Sequence, residues 1–590
     1  MLLKNNPIIN LFRYTWRYSI GTKKQVIIFI LLSIIANFIW LLEPIIIGRV
    51  FNSIQFSADD PKFLEFIIKN LLLLILITIG VWIFHGTSRV METKNAFLVR
   101  RNYKNEMFNK VMDLPASWHK YHHSGDTIDK INKASENLFN FDGGIFQIVK
   151  GFTHLCGSII ILAWFDWKIA LAAIFISIFV IWSTLKFDKK LQKRYKKIFK
   201  AENYLASAIH DYISNIITII TLRLKSRVVK EIDFRAMRKY SVFKENAKLT
   251  ELKWFSNSFY ISVMISGALI FSAYNSYKTE GVIVIGLLFM LYRYLSNIGR
   301  SFNEFALIYG SIVREDAAVV AAEIINKEYD KLPVEKKYYL PRKWNKIQIK
   351  NLSFFYKNKE TKKGQLDNIS LLIERNKKIA LIGESGCGKS TTFSLLRGLH
   401  NPDSGEIFCD NKKLKNGLAH LYNQITLIPQ EPEIFNSTVK ENITMGVNVK
   451  KEKLDETIKM SIFNKVVSKL ENGLDTNVME KGVSLSGGEK QRLALARGLL
   501  RAEDAEFLFL DEPTSSVDSH NEMAIYENIL KKFKDKTIIA AFHRLNLLQY
   551  FDYIYYFKNG KIIAQGKFIE LLKNKDFKII WENYNKQDLI

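Results

Sequence analysis

The sequence predicts two architectures in one chain: an α-helical membrane domain with six transmembrane helices, then a phosphate-loop α/β domain. Three observations predict it. Apolar runs of bilayer length fill the first half. Lys and Arg crowd the two longest connections between those runs. Beyond residue 346 short apolar strands interleave with helix-like runs, and one strand–helix junction carries a glycine-rich loop.

Residues 1–24 are basic and amphipathic, with Trp16, Arg17, Lys23 and Lys24, and read as an interfacial lead-in. So short a lead-in leaves no room for a cysteine-protease domain ahead of the first span. The spans are Gln25–Ile47, Phe66–Val90, Ile145–Phe165, Trp167–Phe187, Trp254–Tyr277 and Val282–Gly310. Two long connections, 91–144 and 188–253, hold Arg100, Arg101, Lys104, Lys110, Lys189, Lys190, Lys193 and Arg194, whereas the short ones hold few such residues. The positive-inside rule then puts both long loops, both termini and the phosphate loop in the cytoplasm, with the chain in the cytoplasmic membrane. Trp40, Trp164, Trp167 and Trp254 fall at the predicted interfaces.

Apolar residues in the first long loop, such as Leu98, Met107, Phe108 and Val111, recur at helical spacing, so the spans should run on as helices beyond the bilayer. Leu114-Pro115 breaks one of them, and there, as around Ser207–Asn215, the residues read either as a short transverse segment or as a simple helix–helix turn. Residues 323–345, with Pro333 and Pro341, read as a linker between a membrane domain at 1–322 and a soluble domain at 346–590.

The bulk composition fits this division. Of 590 residues 48% are hydrophobic, yet 24% are charged, with a net charge of +27. The membrane topology accounts for much of that charge, and no nucleic-acid partner is needed. Cys156, Cys387 and Cys409 show neither metal-ligand spacing nor a disulfide framework, which fits a reducing compartment for the phosphate loop.

Three stretches carry chemistry. The first is Gly383-Glu384-Ser385-Gly386-Cys387-Gly388-Lys389-Ser390-Thr391, between the apolar strand Lys378–Ile382 and a helix-like run. Its glycines let backbone N–H groups turn inward on a polyphosphate, and the helix N-terminus adds a positive dipole end. Lys389 can reach the β- and γ-phosphates, and the Ser390 hydroxyl can ligate Mg²⁺. The second is Phe507-Leu508-Phe509-Leu510-Asp511-Glu512, a buried strand ending in two acids. Asp511 is placed to hold Mg²⁺ through water and Glu512 to polarise an attacking water. The third is Leu485-Ser486-Gly487-Gly488-Glu489-Lys490-Gln491, an anion site at a helix start that makes sense if it meets the phosphate of a second bound nucleotide.

In that order, these stretches resemble the ATPase of an ATP-binding cassette (ABC) transporter. With six spans ahead of them, nearly the whole chain resembles an exporter-type half-transporter with the ABC exporter fold. Other motifs follow at matching positions. Tyr356 resembles the aromatic that stacks on adenine. Gln430 resembles the glutamine that senses Mg²⁺ and faces the membrane domain. Thr476–Gly482 resembles, more loosely, the loop that meets the cytosolic helices. Ser515-Ser516-Val517-Asp518 resembles the loop that crosses to the partner, and His543 the switch histidine near the γ-phosphate. Pro115–Asp126 resembles the first transverse coupling helix, with the second mapped to about Ser207–Ile216.

The resemblance implies head-to-tail packing of two cassettes, with ATP between one phosphate loop and the partner's copy of Ser486-Gly487-Gly488. One chain holds one cassette, so it must dimerise; intact Glu512, Ser486 and His543 favour a homodimer, and a heterodimer stays open. The implied function is ATP- and Mg²⁺-dependent export of a hydrophobic or amphipathic cargo (drug, lipid or peptide) across the membrane. The alternative is an ATP-gated channel, a regulator or an importer on the same scaffold. For the cargo, Arg293, Asn297, Arg300 and Glu304 share one face of the sixth span; His85 with Arg89, and Lys150 with His154, share faces of the second and third. They read as a partly cationic cavity, as intramembrane pairs such as Arg300 with Glu304, or as side chains snorkelling at cytosolic helix ends.

Overall fold

The computed structural model describes residues 6–56, 59–122, 124–332, 338–355, 366–478, 485–542 and 544–587. The chain forms two compact units: Met1–Leu114 with His122–Lys331, and Pro115–Tyr121 with Leu332–Ile590.

The first unit is helical. Its elements are α1 (Pro7–Tyr18), α2 (Lys23–Trp40), α3 (Glu43–Phe56), α4 (Phe63–Asp113), then, past α5 (Ala116–Tyr121), α6 (Ser124–Asp142), α7 (Ile145–Phe165), α8 (Trp167–Ser214), α9 (Ile216–Thr221), α10 (Lys225–Met237), α11 (Tyr240–Glu280) and α12 (Ile285–Tyr329). The 51 residues of α4 span roughly 75 Å at the α-helical rise, far more than a bilayer core, so the helices do continue past the apolar runs. Five helical stretches among the described residues are long and apolar enough to cross a membrane. α12 is the sixth long helix, made more polar by Arg293, Asn297 and Arg300.

The first span is broken rather than continuous. α2 ends at Trp40 and α3 opens at Glu43 with Pro44 in its first turn, where a missing N–H costs nothing. The break frees the Leu41 carbonyl, and the buried Tyr294 hydroxyl of α12 donates to it at 2.7 Å. Around that bond α12 supplies Leu291, Leu295, Ile298 and Phe302 to a core shared with Leu162 of α7 and Ile169, Ala173 and Val180 of α8. A half-buried ion pair, Lys253 Nζ to Asp188 Oδ1 at 2.9 Å, ties α11 to α8. Pro115 ends α4 as expected. The second short helix, however, is α9, at Ile216–Thr221; residues 207–214 continue α8 instead.

The second unit holds two sheets. β1 (Lys346–Phe354), β2 (Leu366–Glu374), β4 (Ser404–Cys409) and β5 (Lys412–Lys413) form an antiparallel sheet in the order β2-β1-β4-β5. The larger sheet runs β10-β9-β3-β8-β7-β6, from β3 (Lys378–Ile382), β6 (Ile425–Ile428), β7 (Phe507–Asp511), β8 (Thr537–Phe542), β9 (Tyr553–Lys558) and β10 (Lys561–Gly566); it is parallel except for the β9–β10 hairpin. Its central strands are buried on both faces, which is why they read as unbroken apolar runs. The faces divide by alternation: Ile379, Leu381, Phe507 and Phe509 enter one core, and Ala380, Ile382, Leu508 and Leu510 the other. The helices are α13 (Lys389–Arg397), α14 (Ala419–Tyr422), α15 (Val439–Thr444), α16 (Lys451–Met460), α17 (Asn464–Val467), α18 (Gly487–Ala502), α19 (Ser519–Lys532), α20 (Phe568–Leu571) and α21 (Lys575–Gln587). α15, α16 and α17 pack with the middle and end of α18 into a small core of their own, around Phe463, Val439 and Leu493.

α5 belongs to this second unit, although it interrupts the first in sequence. Burial, then the charge of Lys120 on α5, pushes the His400 imidazole below its ordinary pKa.

Candidate functional site

The site lies at the C-terminal ends of β3 and β7, where parallel strands hand over to loops. The phosphate loop leaves β3 at Gly383, with φ +146. A Cβ there would stand 2.3 Å from the Phe557 carbonyl oxygen, so only glycine lets the loop turn this close to β9. Lys389 opens α13, and its ammonium donates back to the carbonyls of Gly383 (2.7 Å) and Glu384 (3.3 Å). That places a buried positive charge inside the loop's own curve.

Two neighbours face it. Lys389 Nζ lies 3.5 Å from Glu512 Oε1, both side chains nearly sealed from solvent. Gln430 Nε2 donates to Glu512 Oε2 at 3.0 Å, and the Ser390 hydroxyl donates to Asp511 Oδ1, also at 3.0 Å. Glu512 has φ +51, a left-handed conformation uncommon for a side-chain-bearing residue. The chain thus holds that carboxylate toward Lys389 and Gln430 at some backbone cost. A hydroxyl, a carboxylate and an amide converge here, an oxygen-rich set that suits a hard divalent cation such as Mg²⁺. Phosphate oxygens arriving at the loop must compete with Glu512 for the Lys389 ammonium.

The other sequence motifs occupy defined places. Ser486 caps α18; its hydroxyl accepts from the Glu489 N–H, and Glu489 Oε2 accepts from the Ser486 N–H at 2.8 Å. That backbone bond lowers the Glu489 pKa below its usual value. Asp518 caps α19 by accepting from the Asn521 N–H at 2.9 Å, which holds its pKa down too. Tyr356 and His543 lie outside the described residues. So do residues 479–482 of the loop beginning at Thr476, whose Val478 is buried.

Structure adds residues that motif matching passed over. Glu522, buried at the start of α19, accepts from Thr514 Oγ1 (2.7 Å) and Arg544 Nη1 (2.7 Å), fixing the turn after Glu512. Gln491 of α18 bonds three neighbours. It ends the third sequence stretch, yet no local signal marks its partners.

In the membrane unit the polar face of α12 is largely paired. Arg293 donates to Glu43 Oε1 of α3 at 2.9 Å, so it is not a free cavity cation. Glu304 accepts from Lys150 of α7 at 3.2 Å rather than from Arg300, and Arg89 pairs with Glu92. Arg300 is exposed, with no carboxylate at ion-pair distance among the described residues. Lys150, Arg300 and Glu304 all lie near enough to His154 for their charges to act on its ring. The same unit has an apolar cavity of about 300 Å³ between α1, α7, α8 and α12, lined by Leu155, Leu185, Phe302, Phe305 and Tyr309 among others, with Asp188 as the acidic residue in its wall.

Comparison with known proteins accounts for both units. The family described as ABC transporter transmembrane region matches residues 26–298, and the family described as ABC transporter matches residues 366–515. An export ATP-binding/permease protein of Rickettsia conorii is 30% identical over 477 residues, 78% of each chain. The ATP-dependent lipid A-core flippase of Vibrio vulnificus is 27% identical over 516 residues, 84% of this chain and 86% of its own; that of Escherichia coli K12 is 26% identical over 511. A bacterial Atm1-family ABC exporter solved with ATP bound shares the fold at a TM-score of 0.82, with 20% identity over 95% of this chain and 98% of its own.

Proposed function

Because this chain belongs to the ABC transporter family, we propose that it couples ATP hydrolysis to outward movement of an anionic amphipathic cargo, as a homodimer in the cytoplasmic membrane. The observation that carries this is the convergence of Lys389, Ser390, Asp511, Glu512 and Gln430 within hydrogen-bond or ion-pair reach. Residues 383–391 and Lys389 hold the nucleotide phosphates, with Tyr356 against the adenine. Ser390, Asp511 and Gln430 would hold Mg²⁺, which would supply charge neutralisation at the phosphates. Glu512 takes the proton of the attacking water, and His543 and Gln430 orient that water and the γ-phosphate. Ser486, Gly487, Gly488 and Asp518 serve the partner's site. The division is a membrane domain at 1–322, a linker at 323–345 and the ATPase at 346–590, with the ATPase and both termini on the cytoplasmic side.

Two features support the dimer and the cargo class. Ile213, Ile216, Ile217 and Ile220 at the α8–α9 turn are exposed to 64%, 44%, 73% and 64%, an apolar patch that a second copy would cover. Arg300, exposed and with no carboxylate at ion-pair distance among the described residues, offers positive charge in the unit that holds the apolar cavity, a match for an acidic headgroup with an alkyl chain. The flippase relatives are named for a lipid of that kind.

The test is ATP-dependent movement of a fluorescent anionic lipid between leaflets of proteoliposomes. Movement that stops in Glu512→Gln supports the reading. Hydrolysis without any movement would leave a regulator or channel on this scaffold. Arg300→Ala should raise the lipid concentration for half-maximal transport by about tenfold, with Arg300→Lys in between, as expected for one charged contact.

A further inference from the structure

Gln491 sits in the second turn of α18, 5% exposed, with both ends of its amide engaged. Its Oε1 accepts from the Ser516 N–H at 2.7 Å. Its Nε2 donates to Ser515 Oγ at 2.8 Å and to the Gln430 carbonyl at 3.3 Å. One turn earlier, a Cβ on Gly488 would lie 2.7 Å from the Ser516 carbonyl oxygen, so residues 515–517 lie flat against the helix start. The Ser515 N–H in turn donates to the Glu512 carbonyl at 3.3 Å. Three segments that meet different atoms of the reaction are thereby joined through one side chain. They are the start of α18, the Gln430 loop and the 515–518 loop.

We propose that Gln491 is a positioning residue that links the two ATP sites of the dimer. It makes the start of α18 and the loop after Glu512 move as one body. In the proposed dimer, on which this inference rests, the start of α18 meets the partner's nucleotide. A displacement there is carried by Gln491 to Ser515, and from Ser515 to the backbone of this chain's own Glu512. The same amide carries it to the Gln430 loop. Engagement of one site then sets the geometry of the other, which is positive coupling between sites.

The test is the ATP dependence of hydrolysis by the full chain in nanodiscs. Wild type should give a Hill coefficient above one. Gln491→Leu keeps apolar volume and removes all three bonds. It should lower kcat by about tenfold, change half-saturation by less than about twofold, and bring the Hill coefficient to about 1. Gln491→Glu still accepts from the Ser516 N–H and the Ser515 hydroxyl, so it should recover most of the cooperativity. Should the Leu variant not fold, Ser515→Ala removes one bond without added bulk and should lower the Hill coefficient partway. A Hill coefficient that stays at the wild-type value in the folded Leu or Ala variant overturns the link. A wild type that hydrolyses ATP with strictly hyperbolic dependence removes the two-site reading itself, and the link with it.

Discussion

Replacing Glu512 by Gln should lower ATP hydrolysis by about three orders of magnitude while ATP still binds. The amide keeps the size of the carboxylate and can still accept from Gln430 Nε2, now at 3.0 Å from Glu512 Oε2. It also suits the same left-handed backbone, at φ +51. What it loses is the capacity to take a proton and the ion pair with Lys389. Losing that pair frees the ammonium for phosphate oxygens, so nucleotide affinity should hold or rise. Radioactive ATP retention and phosphate release, measured on the same preparation, separate the two effects. A loss of only tenfold would move the base elsewhere, to His543 before any other residue.

A second large effect is expected far from the reacting atoms. Lys378, at the start of β3, is 9% exposed, and its ammonium donates to four carbonyls: Asn376 (3.2 Å), Phe533 (3.1 Å), Lys534 (2.9 Å) and Lys536 (2.6 Å). Three of these lie just past the C-terminal end of α19, where helix carbonyls lack partners. Burial pulls the Lys378 pKa below the usual lysine value, opposed by Asp552 and Asp535. Lys378→Met keeps the stem and removes the donor. The cost should be roughly 3 kcal/mol, since buried acceptors are left bare. For a unit of this size that is a fall of about 6–12 °C in the melting temperature of the soluble half, readable by calorimetry. A shift under about 2 °C would mean that water reaches those carbonyls.

The parts of this molecule that could be read from its sequence are those whose chemistry is contiguous. The loop from Gly383 to Thr391, the strand ending in Asp511-Glu512 and the capped start of α18 each carry their geometry in neighbouring residues, so pattern and structure coincide. The apolar runs followed the same logic, because a bilayer imposes a length. What stayed hidden depends on pairing across the chain. Arg293 reads from sequence as either a cavity cation or a paired one, and only Glu43, 250 residues away, decides for the pair. Glu304 chose Lys150 over its neighbour one helical turn back. The break at Leu41–Leu42 had a local cue in Pro44, yet its stability depends on the distant Tyr294 hydroxyl. The second short helix was placed too early because residues 207–214 hold neither Pro nor Gly, so nothing in them breaks α8 before Asn215. Gln491 was quoted in its motif, but nothing local to it names Ser515 as its partner.

The membership of α5 in the second unit bears on how the chain is made. Residues 115–121 leave the ribosome well before the segment from Leu332 onward with which they fold. At typical elongation rates of roughly 5–20 residues per second, the last of that segment follows about 20–90 s later. Through that interval Trp118, buried in the finished protein, waits with its unit unfinished. A gene cut after residue 331 would make the wait permanent. Cut there, α5 loses the partners it has in the second unit.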